Sequence, residues 1–409
     1  MSFQQGLSGL NAASKSLEVI GNNVSNSSTV GFKQSRAEFS DVFASSLTGA
    51  GSSQIGIGTK LSNVAQQFTQ GNISSTSNSL DVAINGGGFF RMSNNGAVTY
   101  SRNGQFTMDK QGYLTDAQGN RLTGYLANSL GVLSTGAATD IQINSADLNP
   151  TQTTTVTGTL NLDSTKAALT NAGFSPTNPS TYTSSTSVNV FDSLGNSHVL
   201  QSFFVKTGAG AWSVFNTVDG NAAYPTSPQA PNSTLTFPTS GLSPTQTVVN
   251  ATSFAPGTGA ATPMTVALDY STSTQFGSAF SVNSLAQDGN NSGKLAKFNV
   301  GSDGVITGSY TNGKSQTLGQ LVLVKFANPN GLVQLGGNQW GESSTSGVPV
   351  VGTPNTSGLG VLQSSALEDS NVDLTSELVN MITAQRIYQA NAQTIKTEDQ
   401  IMQTLVNLR

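Results

Sequence analysis

The stretch FQQGLSGLNAASKSLEVIGNNV (residues 3–24), with LTSELVNMITAQRIYQANAQTIKTEDQIMQTLV (residues 374–406) at the other end, decides how this chain is read. In the first, apolar side chains fall at Phe3, Leu7, Leu10, Leu17 and Val24, in steps of four and three once Ser14 and Gly21 take the intervening slots. In the second they fall at Leu374, Leu378, Met381, Tyr388, Ala392, Ile395, Met402 and Val406 in the same rhythm. A repeat of about 3.5 residues keeps one seam facing a partner helix. Ile20, Ile382 and Leu405 widen these seams, and together the positions form the expected packing surface. Ser2 with Gln5 three residues later reads as a capping box, Asp373 reads as the second helix's N-cap, and Glu377 falls in its first turn.

Between the two ends the chain is rich in Gly, Ser, Thr and Asn, and strand signals replace helical ones. Leu80, Val82 and Ile84 alternate, Asn85-Gly86-Gly87-Gly88 turns the chain into Phe89–Met92, and further turn signals follow roughly every 8–12 residues. From Asn144 to about Leu285 the composition shifts towards Thr, Ser, Pro and Asn, with strands expected at 187–191, 200–205, 212–217 and 264–268. The segments 294–300, 304–310 and 319–326 then resume the earlier style. The expected fold is mixed: terminal α-helices in a coiled-coil-like module plus two nested all-β domains, sandwich-like or barrel-like. The expected division places a helical module at 1–30 with 365–409 and an extended, partly irregular connector at 31–79 with 352–364. An inner β domain at 80–143 with 286–351 and an outer inserted β domain at 144–285 complete it.

Charge is scarce. The 409 residues include 17 basic and 21 acidic side chains, 9% of the chain, against about 25% in ordinary soluble domains. Asp219 is the only charged residue from Thr207 to Leu268, and Glu342 the only one from Phe326 to Leu367. Such a surface packs against protein without stripping ions of water. A net charge of −4 with no basic patch argues against nucleic acid. No run of about 18 apolar residues predicts a membrane span, and the N-terminus lacks the pattern of a cleaved secretory signal.

The chemistry of catalysis is not legible. There is no cysteine, and the one histidine, His198, reads as structural, since a triad or a histidine-based zinc site needs partners. Gly51–Gly56 has the glycine spacing of a phosphate loop, but Ile57 stands where lysine is required. Residues 288–293 begin like a calcium loop, yet Asn299 occupies its bidentate position. Glu398-Asp399 and Glu368-Asp369 read as ordinary solvated helix positions. No enzyme activity, cofactor or metal is expected.

Residues 21–33 (GNNVSNSSTVGFK), 80–85 (LDVAIN) with Gly88-Phe89-Phe90, and 100–104 (YSRNG) closely resemble motifs of the bacterial flagellar rod and hook axial proteins. So do 370–374 (SNVDL), 384–386 (AQR) and 388–392 (YQANA). The insertion, with DSLGNSH at 192–198 and FFVK at 203–206, is similar to the outer domain of the family's hook members. The resemblance implies a structural subunit that polymerises into a curved hollow tube, a universal joint carrying torque from rod to filament around an export channel. It implies self-association, contacts with the distal rod protein, the hook cap, the hook–filament junction protein and the type III export apparatus, and an extracellular flagellar location reached without a cleaved signal peptide. By the same resemblance Asn22, Asn23, Asn26, Gly31 and Phe32 hinge the helical wall to the β domains. An isolated helix pair is marginal in water, so the terminal helices are expected to be mobile in the monomer and to order when subunits stack. Competing readings are another axial protein such as the distal rod protein, a filament or filament-junction protein, and a secreted β-sandwich adhesin.

Overall fold

The computed structural model describes residues 2–42, 56–94, 96–144, 146–226 and 229–407, apart from the side chains of Ser2, Leu405 and Asn407. Two compact units result: Met1–Ser145 with Lys297–Ser309 and Ser315–Arg409, and Ala146–Ala296 with Tyr310–Lys314. The strand Ser281–Gln287 runs through the anticipated boundary at 285, and the inserted unit continues to Ala296.

In the first unit, helix α1 (Ser2–Ser25) packs against helix α2 (Leu374–Asn407). The capping reading holds at Asp373, whose Oδ1 accepts from the amides of Thr375 and Ser376 at 2.9 and 3.2 Å. The Ser2 side chain of the expected capping box lies outside the described residues, and the Gln5 amide donates to the Gly56 carbonyl at 2.6 Å. The supposed connector contains an antiparallel hairpin, β1 (Ser35–Val42) and β2 (Gly58–Gln66), registered from Ser35 opposite Gln66 to Val42 opposite Gly58. Polar and charged residues occupy most of its positions, so no apolar alternation announced it. Residues 49–54, read as the glycine-rich part of that connector, lie outside the described residues.

Two short strand pairs bring the chain ends together. β3 (Ile73–Ser75) pairs with Ala366–Glu368, and β4 (Val82–Asn85) pairs with Val361–Ser364. Leu80, expected in the strand, sits in a turn instead, because Asn78 accepts from its amide at 3.1 Å and donates to Asp81 at 3.0 Å. A 13-stranded sheet, counted among the described residues, includes β5 (Phe89–Asn94) and β6 (Ala97–Ser101). Phe89, Tyr100, Val324, Phe326 and Trp340 form one of its buried clusters, with Phe68 against them. Their rings meet edge-on, with centroids 4.7–5.9 Å apart, the arrangement that ring quadrupoles favour.

The second unit is a two-sheet sandwich. One sheet orders its strands 184–191, 197–208, 211–218, 233–236 and 245–248; the other orders 252–254, 264–269, 155–163 and 274–276, with 281–287 beside 155–163. Val156, Leu160 and Met264 from one sheet meet Leu200, Phe204 and Trp212 from the other. The strand Ala211–Val218 is buried along almost its whole length. Its second face is covered by an aromatic cluster in which Phe174 stacks on Phe215 at 4.3 Å. That double cover explains a strand without polar alternation.

Candidate assembly interface and junction

The two helices approach closely at small residues of α1, which face Ile395 and Asn391 of α2. A Cβ built on Gly6 would lie 3.1 Å from Ile395 Cγ1, and one on Gly9 would lie 2.7 Å from Asn391 Oδ1. Ala13 and Ala384 are buried. The intramolecular contact is therefore displaced by one residue from the Phe3–Leu7–Leu10 line, and a 100° turn of the helix separates the two stripes. Leu10, Leu17, Ile20, Val24, Met381 and Ile395 are half-buried. Phe3, Leu7, Leu374 and Tyr388 are exposed, as are Leu378 (44%), Ile382 (52%) and Met402 (61%). Leu405 lies on the helix with its side chain outside the described residues. Val379, Ile387, Ile401 and Val406 join the exposed set.

Where the helices reach the sheet, three distant segments converge on Glu368. Its Oε1 accepts from Lys33 Nζ at 2.5 Å and from the Gly71 amide at 3.0 Å, and its Oε2 accepts from Arg102 Nη1 at 3.0 Å. Its main-chain carbonyl accepts from the Gly31 amide at 2.8 Å. The side chains of Lys33 and Glu368 are fully buried. Lys33 also donates to the Thr69 carbonyl, and Arg102 donates to the Gly86 carbonyl and lies over the Phe89 ring. Burial pulls the ammonium of Lys33 and the guanidinium of Arg102 below their ordinary pKa values, with Glu368 opposing the shift in both. Glu368 was read as a solvated carboxylate; it is the buried centre of this junction. The signal was available, because in so uncharged a chain Lys33 and Arg102 fall inside two of the quoted motifs.

The other signature residues divide. Asn23 is buried and acts as a side-chain β-bridge, donating to Ser35 O at 2.8 Å and accepting from Ser35 N at 2.9 Å. Gly31 adopts a φ of 71° within van der Waals distance of the Arg102–Asn103 peptide, and Phe32 is buried. Asn26 donates to the Asn22 carbonyl at 2.9 Å, and Asn22 itself is exposed. Asn371 ties the start of α2 to this segment, accepting from Gln34 N at 2.7 Å and donating to Gln67 O at 2.7 Å.

In the second unit His198 is buried against Phe254, with Nδ1 2.6 Å from Asp219 and Nε2 3.4 Å from Asp192. Burial disfavours the Asp192 carboxylate. Hydrogen bonds from Thr258, from the Asn196 side chain and from the amides of Asn196 and Leu194 outweigh it, holding the carboxyl well below its usual range. The cluster closes the turn 192–198 onto the sandwich.

Four family models match along the chain: the flagella basal body rod protein at 3–33, the flagellar hook protein FlgE/F/G D1 domain at 83–161, the flagellar basal body protein FlaE D2 domain at 161–290, and the flagellar basal body rod FlgEFG protein C-terminal region at 363–408. The chain is 43% identical over 413 residues to the flagellar hook protein FlgE of Escherichia coli (strain K12), and 42% identical over 414 residues to that of Salmonella typhimurium, covering all of each. It belongs to the flagellar hook protein FlgE family. A more distant FlgE, from Borreliella burgdorferi, is 31% identical over 446 residues, covering 100% of this chain and 99% of its own. A crystal structure of the Helicobacter pylori hook protein FlgE2 shares the fold, with a TM-score of 0.52 at 15% identity over 72% of this chain and 100% of its own. Within this FlgE-family chain, Lys33, Arg102 and Glu368 each fall under a different family model. The buried junction is what joins those three segments into one unit.

Proposed function

We propose that this chain is the structural subunit of the flagellar hook, polymerising into a curved hollow tube that transmits torque and encloses an export channel. The observation that carries the reading is the row of large apolar side chains left in water along α1 and α2, in helices already paired with each other. Burying each large one against a neighbouring helix contributes about 1.5–3 kcal/mol, so a repeating contact forms a stiff wall. The interface comprises Phe3, Leu7, Leu10, Leu17, Ile20, Val24, Leu374, Leu378, Met381, Ile382, Tyr388, Ile395, Met402 and Leu405. Asn22, Asn23, Asn26, Gly31 and Phe32 set the angle at which that wall meets the β units.

The family relationship supports a flagellar location, and the contacts of Gln5 with Gly56 and Asn23 with Ser35 support retention of α1 in the working subunit. In this reading export proceeds through the type III apparatus without cleavage, and the tube's ends meet the distal rod protein, the hook cap and the hook–filament junction protein. Electron microscopy of the purified protein under polymerising conditions tests the reading. Curved tubes are expected; straight filaments, or none, would overturn it. Mass analysis of the assembled subunit should show residues 2–25 present.

A further inference from the structure

A cleft of about 480 Å³ opens beside α1, β1 and the first turn of α2, with Glu377 at its wall. Glu377 is only 3% exposed. Its Oε1 accepts from Gln34 Nε2 at 2.6 Å. Its Oε2 is poorly served: Asn23 Nδ2 lies 3.5 Å away and already donates to Ser35 O at 2.8 Å. Glu377 makes no ion pair among the described residues. The N-terminus of α2 offsets part of its charge, and a carboxamide offsets a little more, but neither carries a formal charge. A buried carboxylate without a cation is a costly arrangement. Gln34, Gln67 and Asn380 add carboxamides to the wall, and Arg36, which lines the same cleft, makes no ion pair with Glu377 among the described residues.

Several cations form no ion pair among the described residues, Arg36 and Arg386 among them, and Arg386 is the arginine on the exposed stripe of α2. Arg386 is exposed on α2 and forms no ion pair among the described residues. It sits four positions after Ile382 and seven after Val379, on the exposed stripe roughly opposite the buried Ala384. A planar guanidinium is the cation best matched to a carboxylate ringed by acceptors. Arg386 cannot fill its own chain's cleft, because nine helical residues place it about 13 Å further along the axis from Glu377, more than an arginine side chain spans.

We propose that this cleft is a socket for Arg386 of a second copy, so that neighbouring subunits are registered by a Glu377–Arg386 pair. The inference rests on the polymeric reading above and adds to it the residues that fix the stagger. Apolar stripes tolerate sliding, whereas a desolvated charge pair accepts one register.

The test measures the critical concentration for tube formation by sedimentation of full-length protein, with urea unfolding of the monomer as the control. Arg386→Glu and Glu377→Arg should each raise it by roughly 10–100-fold, the scale of losing one desolvated ion pair. The double exchange should recover most of the loss. Because Glu377→Arg can disturb the monomer, a second readout uses the absence of cysteine in the natural chain. Tubes assembled from mixed Glu377→Cys and Arg386→Cys subunits, diluted into wild-type protein, should yield covalent dimers with a bis-maleimide whose spacer matches the reach of a Glu–Arg pair, which is too long for a direct disulfide. Normal assembly of Arg386→Glu, no gain in the double exchange, or no crosslinked dimer overturns the socket while leaving the hook reading intact. Rescue of Glu377→Arg by Arg36→Glu overturns it too, because Arg36 lines the same cleft and would then supply the cation within one chain. Failure of the wild-type protein to form tubes overturns both.

Discussion

Glu368 satisfies two cations, two backbone amides and one strand pairing at once, so its replacement has few compensations. Glu368→Gln keeps the shape but leaves Lys33 and Arg102 buried without a carboxylate. Breaking a buried pair this way costs about 3–5 kcal/mol, and the unfolding midpoint of the first unit in urea should fall accordingly. Gly31→Ala acts through geometry. At a φ of 71° the new Cβ would lie 2.7 Å from the Asn103 nitrogen, so a loss of about 1–3 kcal/mol is expected in the same measurement. In the second unit Asp192 supplies a pH dependence. Its folded-state pKa is depressed, so the unfolded chain binds the proton more readily. The stabilisation is present above the ordinary carboxylate range, near pH 4, and is lost progressively as pH falls from there through the depressed folded-state value. Asp192→Asn should flatten the acid limb of this unit's stability curve; an unchanged limb would show that its hydrogen bonds contribute nothing specific. None of these roles was visible residue by residue. A one-dimensional reading treats an acidic side chain as solvated unless a partner stands nearby, and the partners of Glu368 lie hundreds of positions away.

At the scale of elements, the terminal helices were legible because their amphipathic repeat is long and their caps are local chemistry. α1 and α2 occupy nearly the expected spans, and Asp373 caps as anticipated. Which stripe each helix turns inward was not legible. Gly6 and Gly9 allow close approach to Ile395 and Asn391, and that steric fit turns Phe3, Leu7, Leu378 and Ile382 outward, where they stay exposed. Ile382→Asp should therefore abolish polymer in sedimentation assays while moving monomer stability by less than about 0.5 kcal/mol, as for other exposed sites. Limited proteolysis of dilute monomer should cut the second half of α2 first, where Ile401, Met402 and Val406 lack cover. Cleavage that begins in the sheets would contradict that order. The hairpin β1–β2 escaped notice for the opposite reason: its strands are polar, and their pairing and their contacts with α1, such as Ser8 Oγ accepting from Thr59 N at 3.3 Å, hold it in place.

For the whole molecule, each compact unit carries its own aromatic anchor. Trp212 is buried in the sandwich and donates to Gln275 at 2.9 Å, while Trp340 is buried in the first unit and donates to Gln66 at 2.6 Å. Truncation of a core tryptophan costs about 3–5 kcal/mol. In calorimetry, Trp212→Ala should lower only the transition of the sandwich, and Trp340→Ala only that of the first unit. The sparse charge of the outer sequence leads to a mechanical expectation for the polymer. Contacts without ion pairs can be remade as a tube bends, so Lys–Glu pairs introduced across outer-unit contacts should stiffen bending measured from thermal fluctuations. Unchanged compliance would remove that role for the neutral surface.

The sequence by itself determined the local and the periodic: two amphipathic ends, β units between them, the near-absence of charge, and motifs specific enough to mark a flagellar axial chain. Only the tertiary structure decided which helix stripe is spent within the subunit, that the connector folds as a hairpin, and that Lys33, Arg102 and Glu368 share one buried site. The physical reason is range. Periodicity and capping are set by residues within a turn or two of helix or strand, whereas steric fit and desolvated charge depend on which distant segments the fold brings together.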